Sequence, residues 1–292
     1  GLRQRHHRTS MTQAALFIGL SVCMHVVWNL MARQQPKARY VLWWVLIGHL
    51  VLLAPWGLYS LFQHTRFTPE FLALAATSAT ANALYFLGLK KAYDHAPVAL
   101  VYPLVRSSPL LIAVWGLWLF DQQLSMPTWV GIAISVLGLA LLADTGRGSA
   151  NKSALPWAFL AMLCTSVYSL SDKFATTHID SFAGLLGFVS FGYLAAWLLL
   201  TLELKHSTGR WVPSERPPLW VIAVGGLCVG LAYVLVIAAM RSLPAAVVVA
   251  FTNAGIVLAT LASIFLFKEN AHWKMRLAAA ATIVSGLVVL RL

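Results

Sequence analysis

Apolar residues in this chain fall in long unbroken runs, and charge, proline or glycine marks where each run stops. A run of about 20 apolar residues is what an α-helix needs to cross the hydrocarbon core of a bilayer. No stretch alternates with period two, as a lipid-facing barrel strand would. Runs of spanning length occur at about 12–33, 40–62, 70–91, 96–120, 127–144, 155–176, 181–203, 218–241, 244–267 and 274–291. The pattern predicts an all-α membrane protein with ten transmembrane helices. Connections are short, and the longest, "KHSTGRWVPSERPP" at 205–218, is a loop rather than a module able to house a separate enzyme. Function is therefore expected among the helices.

The second half of the chain echoes the first. A shift of 147 positions lays "AYDHAPVALVYPL" (92–104) on "AMRSLPAAVVVAF" (239–251), so that Pro97 falls on Pro244, Arg106 on Asn253 and Gln122 on Glu269. A shift of about 143 lays "HVVWNLMA" (25–32) on "YSLSDKFA" (168–175) and pairs Asn29 with Asp172. Ten spans thus read as five plus five. Because five is odd, the second copy enters the bilayer in the opposite sense, and the expected fold is two inverted five-helix repeats with a substrate site near mid-membrane between them. The expected division is a leader or extraneous remnant at 1–10, a first repeat at 11–146 and a second at 147–292. Residues 1–10 precede Met11 and are too polar for a secretory signal peptide.

Three features carry a family resemblance over nearly the whole chain from Met11: "HVVWN" in the first span, "APVALVYPLVRSSPLL" in the fourth, and a glycine-bearing fifth span closing each half. With the five-plus-five plan, the chain resembles the drug/metabolite transporter superfamily in its EamA-like branch. The resemblance implies secondary transport of a small metabolite, with export as its direction. One departure is visible. The family often has Gly-Glu after the fourth span, whereas here the first half reads Asp121-Gln122 and only the second keeps the acid, Glu269.

Composition supports a membrane setting, with 60% hydrophobic residues, 10% charged residues and a mean hydropathy of +0.76. In a soluble protein a net charge of +12 would suggest nucleic acid, but here the basic residues cluster in short connections between spans, which is membrane topology chemistry. From Arg33 onward, thirteen Lys and Arg, among them Lys37, Arg39, Lys90 and Lys91, fall in odd-numbered connections, against Arg66, Lys173, Arg241 and Arg291 on the other side. That count places both termini outside, while Arg3, Arg5 and Arg8 and the family resemblance favour cytoplasmic ends. The expected location is a bacterial cytoplasmic (inner) membrane. Cys23, Cys164 and Cys228 lie singly in apolar runs and are expected as free, buried thiols. No phosphate loop, HExxH, GxSxG or paired CxxC is present, so no metal, cofactor or enzymatic activity is expected, and transport would be passive or coupled to an ion gradient, protons being the candidate.

Polar groups inside spans are candidate site residues, because an ionisable group facing lipid costs about 2.5–3.5 kcal/mol. Arg106 lies within roughly 3 Å of the centre of its span, too deep to snorkel, between Pro103 and Pro109. It is read as an anchor for a carboxylate or phosphonate, the alternatives being an ion pair with Asp172 or a cap on carbonyls freed by Pro109. Tyr102 shares its helix face. His25, Trp28 and Asn29 form one face of the first span, read as a substrate wall or as interhelical packing. Tyr168 and Asp172 form a face of the sixth span, with Asp172 a site for an amine or a proton, or a neutraliser of Arg106 or Lys173. Asn82 and Tyr85 in the third span and Asn253 in the ninth complete the set, Asn253 being expected to address the same central cavity as Arg106. The expected function is transport of a small anionic or zwitterionic metabolite, such as an amino acid or organic acid, by alternating access. A phosphonate-related permease and a flippase of a phosphate-bearing lipid are the alternatives.

Overall fold

The computed structural model describes residues 2–35, 38–148 and 150–291 and is built of α-helices, with no strand among the described residues. Lys37, Gly1 and Leu292 lie outside the described residues, as do the side chains of Arg3, Arg5, Arg8, Arg33 and Arg39. The first half comprises α1 (Leu2–Arg33), α2 (Ala38–Leu52), α3 (Ala54–His64), α4 (Pro69–His95), α5 (Val98–Val105), α6 (Pro109–Phe120) and α7 (Met126–Thr145). The second comprises α8 (Ala154–Ala175), α9 (Phe182–Thr208), α10 (Leu219–Ala239), α11 (Ala245–Thr252), α12 (Ala254–Phe265) and α13 (Trp273–Arg291). Among the described residues nine spans are long and apolar enough to cross a bilayer, and the pair α2–α3, bent by 58°, makes the tenth.

Three predicted spans are broken, and each break has a local cause. Residues 40–62, expected as one helix, bend at Leu53, where Pro55 in the first turn of α3 supplies no N–H to continue the ladder. The fourth span stops at Val105 and restarts at Pro109, leaving Arg106 to Ser108 outside regular helix. The ninth span stops at Thr252 and restarts at Ala254, so Asn253 is its break, with no proline to announce it. Arg106 and Asn253 are repeat equivalents, so both halves interrupt the same helix at the same residue.

The packing obeys the repeat. Helix α4 runs along α8 and α9, and its equivalent α10 runs along α1 and α2; α3 with α9 and α7 with α13 meet their own counterparts, and the broken fourth span meets the broken ninth through α6 and α11. On this pseudo-two-fold axis the backbones touch. A Cβ on Gly57 would lie 2.8 Å from the Gly187 nitrogen, and one on Gly187 would lie 2.0 Å from the Gly57 oxygen. Between α7 and α13, a Cβ on Gly131 would sit 2.6 Å from Gly286 O and one on Gly138 3.0 Å from Ala279 O. With a one-residue slip in the repeat these two contacts are one contact applied twice, as a self-complementary interface requires. In hydrocarbon, close backbone approach of this kind is a main source of helix association.

The departure at Gln122 finds its explanation in the caps. Asp121 (φ 50°) and its equivalent Lys268 (φ 53°) are both left-handed, and Gln122 N donates to Gly116 O as Glu269 N donates to Ser263 O. The backbone turn is therefore identical without the acid. Glu269 has a further partner, since Arg276 Nη2 lies 3.8 Å from its carboxylate, and the first half has Trp129 where Arg276 would recur. The cysteines are free as expected, but only Cys164 is buried; Cys23 is exposed on α1 and Cys228 is half-buried.

Gly187→Ala is expected to destabilise the protein by at least about 1–3 kcal/mol through overpacking. Thermal melting in detergent checks this against Gly19→Ala, whose Cβ meets nothing within 4 Å and which should melt as the parent does.

Candidate functional site

Between the halves lies a cavity with about 1000 Å³ of unfilled space, counting the part that opens to solvent. It reaches from mid-membrane toward the face bearing the odd-numbered connections, the basic face, because its outermost lining residues, Ala32, Val41, Tyr93 and Val98, border those connections. Eight of the ten predicted site residues lie on its wall: His25, Trp28, Asn29, Asn82, Tyr85, Tyr102, Arg106 and Tyr168. Asp172 and Asn253 do not, and each sits directly behind a residue that does.

Arg106 is held from across the axis. Its Nε donates to Asn253 Oδ1 at 3.0 Å and its Nη2 to Thr252 Oγ1, while Asn253 Nδ2 donates to the Arg106 carbonyl oxygen at 3.0 Å. The two breaks thus satisfy one another, side chain to side chain and side chain to backbone. Both of its bonded nitrogens reach side-chain oxygens and no backbone carbonyl, so a cap on carbonyls freed by Pro109 is not what holds the guanidinium. Nor does it pair with Asp172, which lies beyond ion-pair distance. Two of its nitrogens are spoken for, and Nη1 has no protein acceptor among the described residues. Arg106 therefore presents donors in a fixed fork to the cavity.

The remaining wall is aromatic. Tyr85 meets Tyr168 edge to face at 5.5 Å and 82°, and Tyr168 meets Tyr233 at 5.5 Å and 89°. Tyr85 also meets Phe86 at 5.0 Å, and Phe86 meets Tyr193 at 5.5 Å. These edge-to-face contacts set each ring by its neighbour and leave faces toward the space. Asn29, only 7% exposed, has an unpartnered Nδ2 on this wall. His25 Nδ1 lies 2.9 Å from Ser21 O of the preceding turn, so that nitrogen carries a proton and Nε2 is left facing outward from the helix. Tyr93, Tyr193, Tyr233, Phe86 and Cys228 also line the cavity and were not singled out from the sequence; lone aromatics in apolar spans carry no signal that separates them from ordinary packing.

Beneath the floor lies Asp172, 1% exposed, one oxygen accepting from Ser78 Oγ on α4 and the other from the Tyr233 hydroxyl on α10. Asn82 Nδ2 donates to Ser78 O at 3.1 Å and so braces the same cluster. Lys173, adjacent in sequence, does not neutralise it: its Nζ donates to Met240 O at 2.6 Å and Leu243 O at 3.0 Å. These are carbonyls at the end of α10 and in the connection after it, toward the face opposite the basic one.

That opposite face is closed by the even-numbered connections. Arg66 pairs with Asp180 at 3.1 Å, Arg66 N donates to His178 O and Asp180 N to His64 O, each at 2.9 Å, and Thr65 and Ile179 form an isolated antiparallel bridge. Arg241 Nη2 donates to Ile179 O at 2.6 Å. Burial lowers its pKa from the usual arginine value, with Asp180 opposing the shift. The connections after α3, α8 and α10 are thereby tied into one seal, and the cavity is open on one face and shut on the other.

Comparison with known proteins places this architecture. The model of the EamA-like transporter family matches twice, over residues 11–143 and 152–291. One solved crystal structure, described only as that of a protein, superposes with a TM-score of 0.70 at 19% identity, covering 95% of this chain and 96% of that one, a likeness that speaks for the fold. No curated protein sequence matches significantly. With a family match over both halves of a two-repeat, ten-span bundle, this chain belongs to the EamA-like transporter family of the drug/metabolite transporter superfamily and is an integral membrane transporter.

Proposed function

We propose that this protein carries a small carboxylate metabolite, an amino acid or related organic acid with an apolar body, across a bacterial inner membrane by alternating access. The halves 11–146 and 147–292 would be its moving parts and Arg106 its anion anchor. One observation carries the reading: a guanidinium fixed on the axis between the halves, with donors left over, at the inner end of an aromatic cavity open to a single face. A carboxylate matches the fork of an arginine in charge and geometry. The tyrosines, Trp28 and Phe86 suit an apolar body, and ring faces accept an amine by cation–π attraction where a carboxylate partner is absent from the wall. Arg106 is the one cation lining this space among the described residues, which favours a singly charged group over a phosphonate. The excess of Lys and Arg on the open face supports a cytoplasmic basic face, and the family resemblance supports export as the direction.

A thermal-shift screen of the purified protein against phenylalanine, phenylacetate, benzoate, phenylphosphonate and a phosphate-bearing lipid tests this. Carboxylates with an apolar body are expected to raise the melting temperature, by the equivalent of about 2.7 kcal/mol at a hundred times the dissociation constant. Arg106→Gln should abolish the shift while the variant still folds, and Arg106→Lys should retain part of it. An unchanged shift in Arg106→Gln, or stabilisation by the lipid alone, would overturn the reading.

Asn253 offers a second test. Asn253→Ala removes the bonds that fix the guanidinium and leaves the Arg106 carbonyl unpaired, and should cost about 1–3 kcal/mol in thermal stability. Asn253→Asp places a counter-charge on the guanidinium and should abolish carboxylate-induced stabilisation in the same melting assay.

A further inference from the structure

Asn29 and Asp172 hold the same position in the two halves, yet this conformation treats them oppositely. Asn29 stands on the cavity wall with an unpartnered amide, while Asp172 is sealed behind Tyr233 with both oxygens bonded. In an inverted repeat the state open to the other face follows from exchanging the conformations of the two halves, so a wall residue whose equivalent lies off the wall gives way to it. With shifts of 143 on α1 and 147 on α4 and α5, Trp28 is replaced by Ser171, Asn29 by Asp172, Tyr93 by Met240 and Tyr102 by Val249, whereas Tyr85 with Ala232, His25 with Tyr168 and Phe86 with Tyr233 line the wall as pairs already and stay on it. Arg106 and Asn253, bonded to each other on the axis, belong to both states. Exchange therefore takes an indole, two phenols and an amide away from the anion anchor and brings in a hydroxyl, two apolar chains and a carboxylate.

Building on the transport reading above, we infer that Asp172 is a proton-binding site that meets the cavity only when it opens away from the basic face, where its carboxylate displaces the anion from Arg106. The surroundings suit this role. Titratable neighbours of Asp172 are tyrosines: Tyr168 on its own helix, Tyr193 on α9 and Tyr233 on α10. Helix α4 presents the neutral Ser78 and Asn82, α6 and α11 carry no ionisable residue, Arg106 on α5 is beyond ion-pair distance, and the Lys173 ammonium is occupied by carbonyls. No cation compensates the carboxylate, so sealing it costs least when it is protonated.

The cycle balances with one proton. On the face opposite the basic one, a proton adds to the Asp172 carboxylate to give the carboxylic acid as the anion leaves. After the switch, the acid lies against the Tyr233 hydroxyl, whose ring lines the open cavity. Reversal of that hydrogen bond passes the acid's proton to the phenol oxygen while the phenol proton moves to cavity water. The carboxylate is restored, and one substrate leaves for one proton entering.

Accessibility of the exchanged position tests this without any substrate. Cys23, Cys164 and Cys228 are replaced by alanine, and Ser171→Cys or Trp28→Cys is introduced in sealed vesicles treated with a membrane-impermeant maleimide. The Trp28→Cys variant should label from one face and the Ser171→Cys variant from the other. With Asp172 intact, labelling of the Ser171→Cys variant should fall at low pH, because protonation favours the sealed state. One linked proton shifts such an equilibrium by up to tenfold per pH unit, so a change at least about threefold larger than in Asp172→Asn is expected over about three units. The amide variant keeps the hydrogen-bonding shape, and it controls for the thiol's own titration. Absence of labelling at 171 from the second face, or the same pH dependence in Asp172→Asn, would overturn the inference and leave the anion-anchor reading standing. Loss of Arg106-dependent stabilisation would do the reverse.

Discussion

The reciprocal bonding of Arg106 and Asn253 is the interaction on which the rest of this molecule depends. Inside hydrocarbon a helix can be interrupted only where protein or cavity water takes up the backbone groups that the break releases. Here the two interrupted helices, α5–α6 and α11–α12, meet at their breaks. Asn253 bonds the free carbonyl of Arg106, and Arg106 bonds the Asn253 side chain and Thr252. Two defects that would each be costly alone become one joint. The joint fixes the guanidinium on the axis, and the repeat puts that axis at the centre of the membrane.

Around this joint the two halves are held by backbone contact rather than by side-chain bulk. Gly57 against Gly187, and Gly131 and Gly138 against α13, bring helices close enough that even a methyl group is excluded. Such contacts are short-ranged and shape-specific, which suits surfaces that must stay paired while the ends of the helices separate. The ends themselves are closed by polar loop contacts, Arg66 with Asp180 and Arg241 with Ile179, which water can replace. Strength is therefore concentrated at the axis and exchangeability at the faces. Although the fold is symmetric, the chemistry is not: the first half brings Trp28, Asn29 and Arg106 to the cavity wall, whereas the second brings tyrosines, Val229 and Ala232 and keeps its carboxylate, Asp172, behind it.

Much of the site was legible in the chain because the bilayer penalises polar side chains so heavily. Arg106, Asn29, Asn82 and His25 stood out against apolar spans, and all four lie on the cavity wall. Asp172 stood out by the same rule but lies behind that wall, since its two hydroxyl partners, Ser78 and Tyr233, come from helices that sequence distance does not connect. The aromatic half of the wall was the harder part. Tyr93, Tyr193 and Phe86 resemble any buried ring, and only the packing of α4 against α9 turns their faces toward a common space. Likewise, Pro55 and Pro109 explain two breaks, but the break at Asn253 has no proline and depends on a partner 147 residues away.

What the sequence alone determined is the membrane class, the number of crossings and the inverted repeat. Each follows from hydropathy and from the parity of five spans, which act locally along the chain and need no partner. It also determined that a permanent charge would lie at mid-membrane. The tertiary structure decided what that charge meets, which face the cavity opens to, and which member of the Asn29–Asp172 pair is on the wall. Those outcomes depend on contacts between helices far apart in the chain, and in an inverted repeat the same sequence supports both arrangements, so only the packing of one conformation can choose between them.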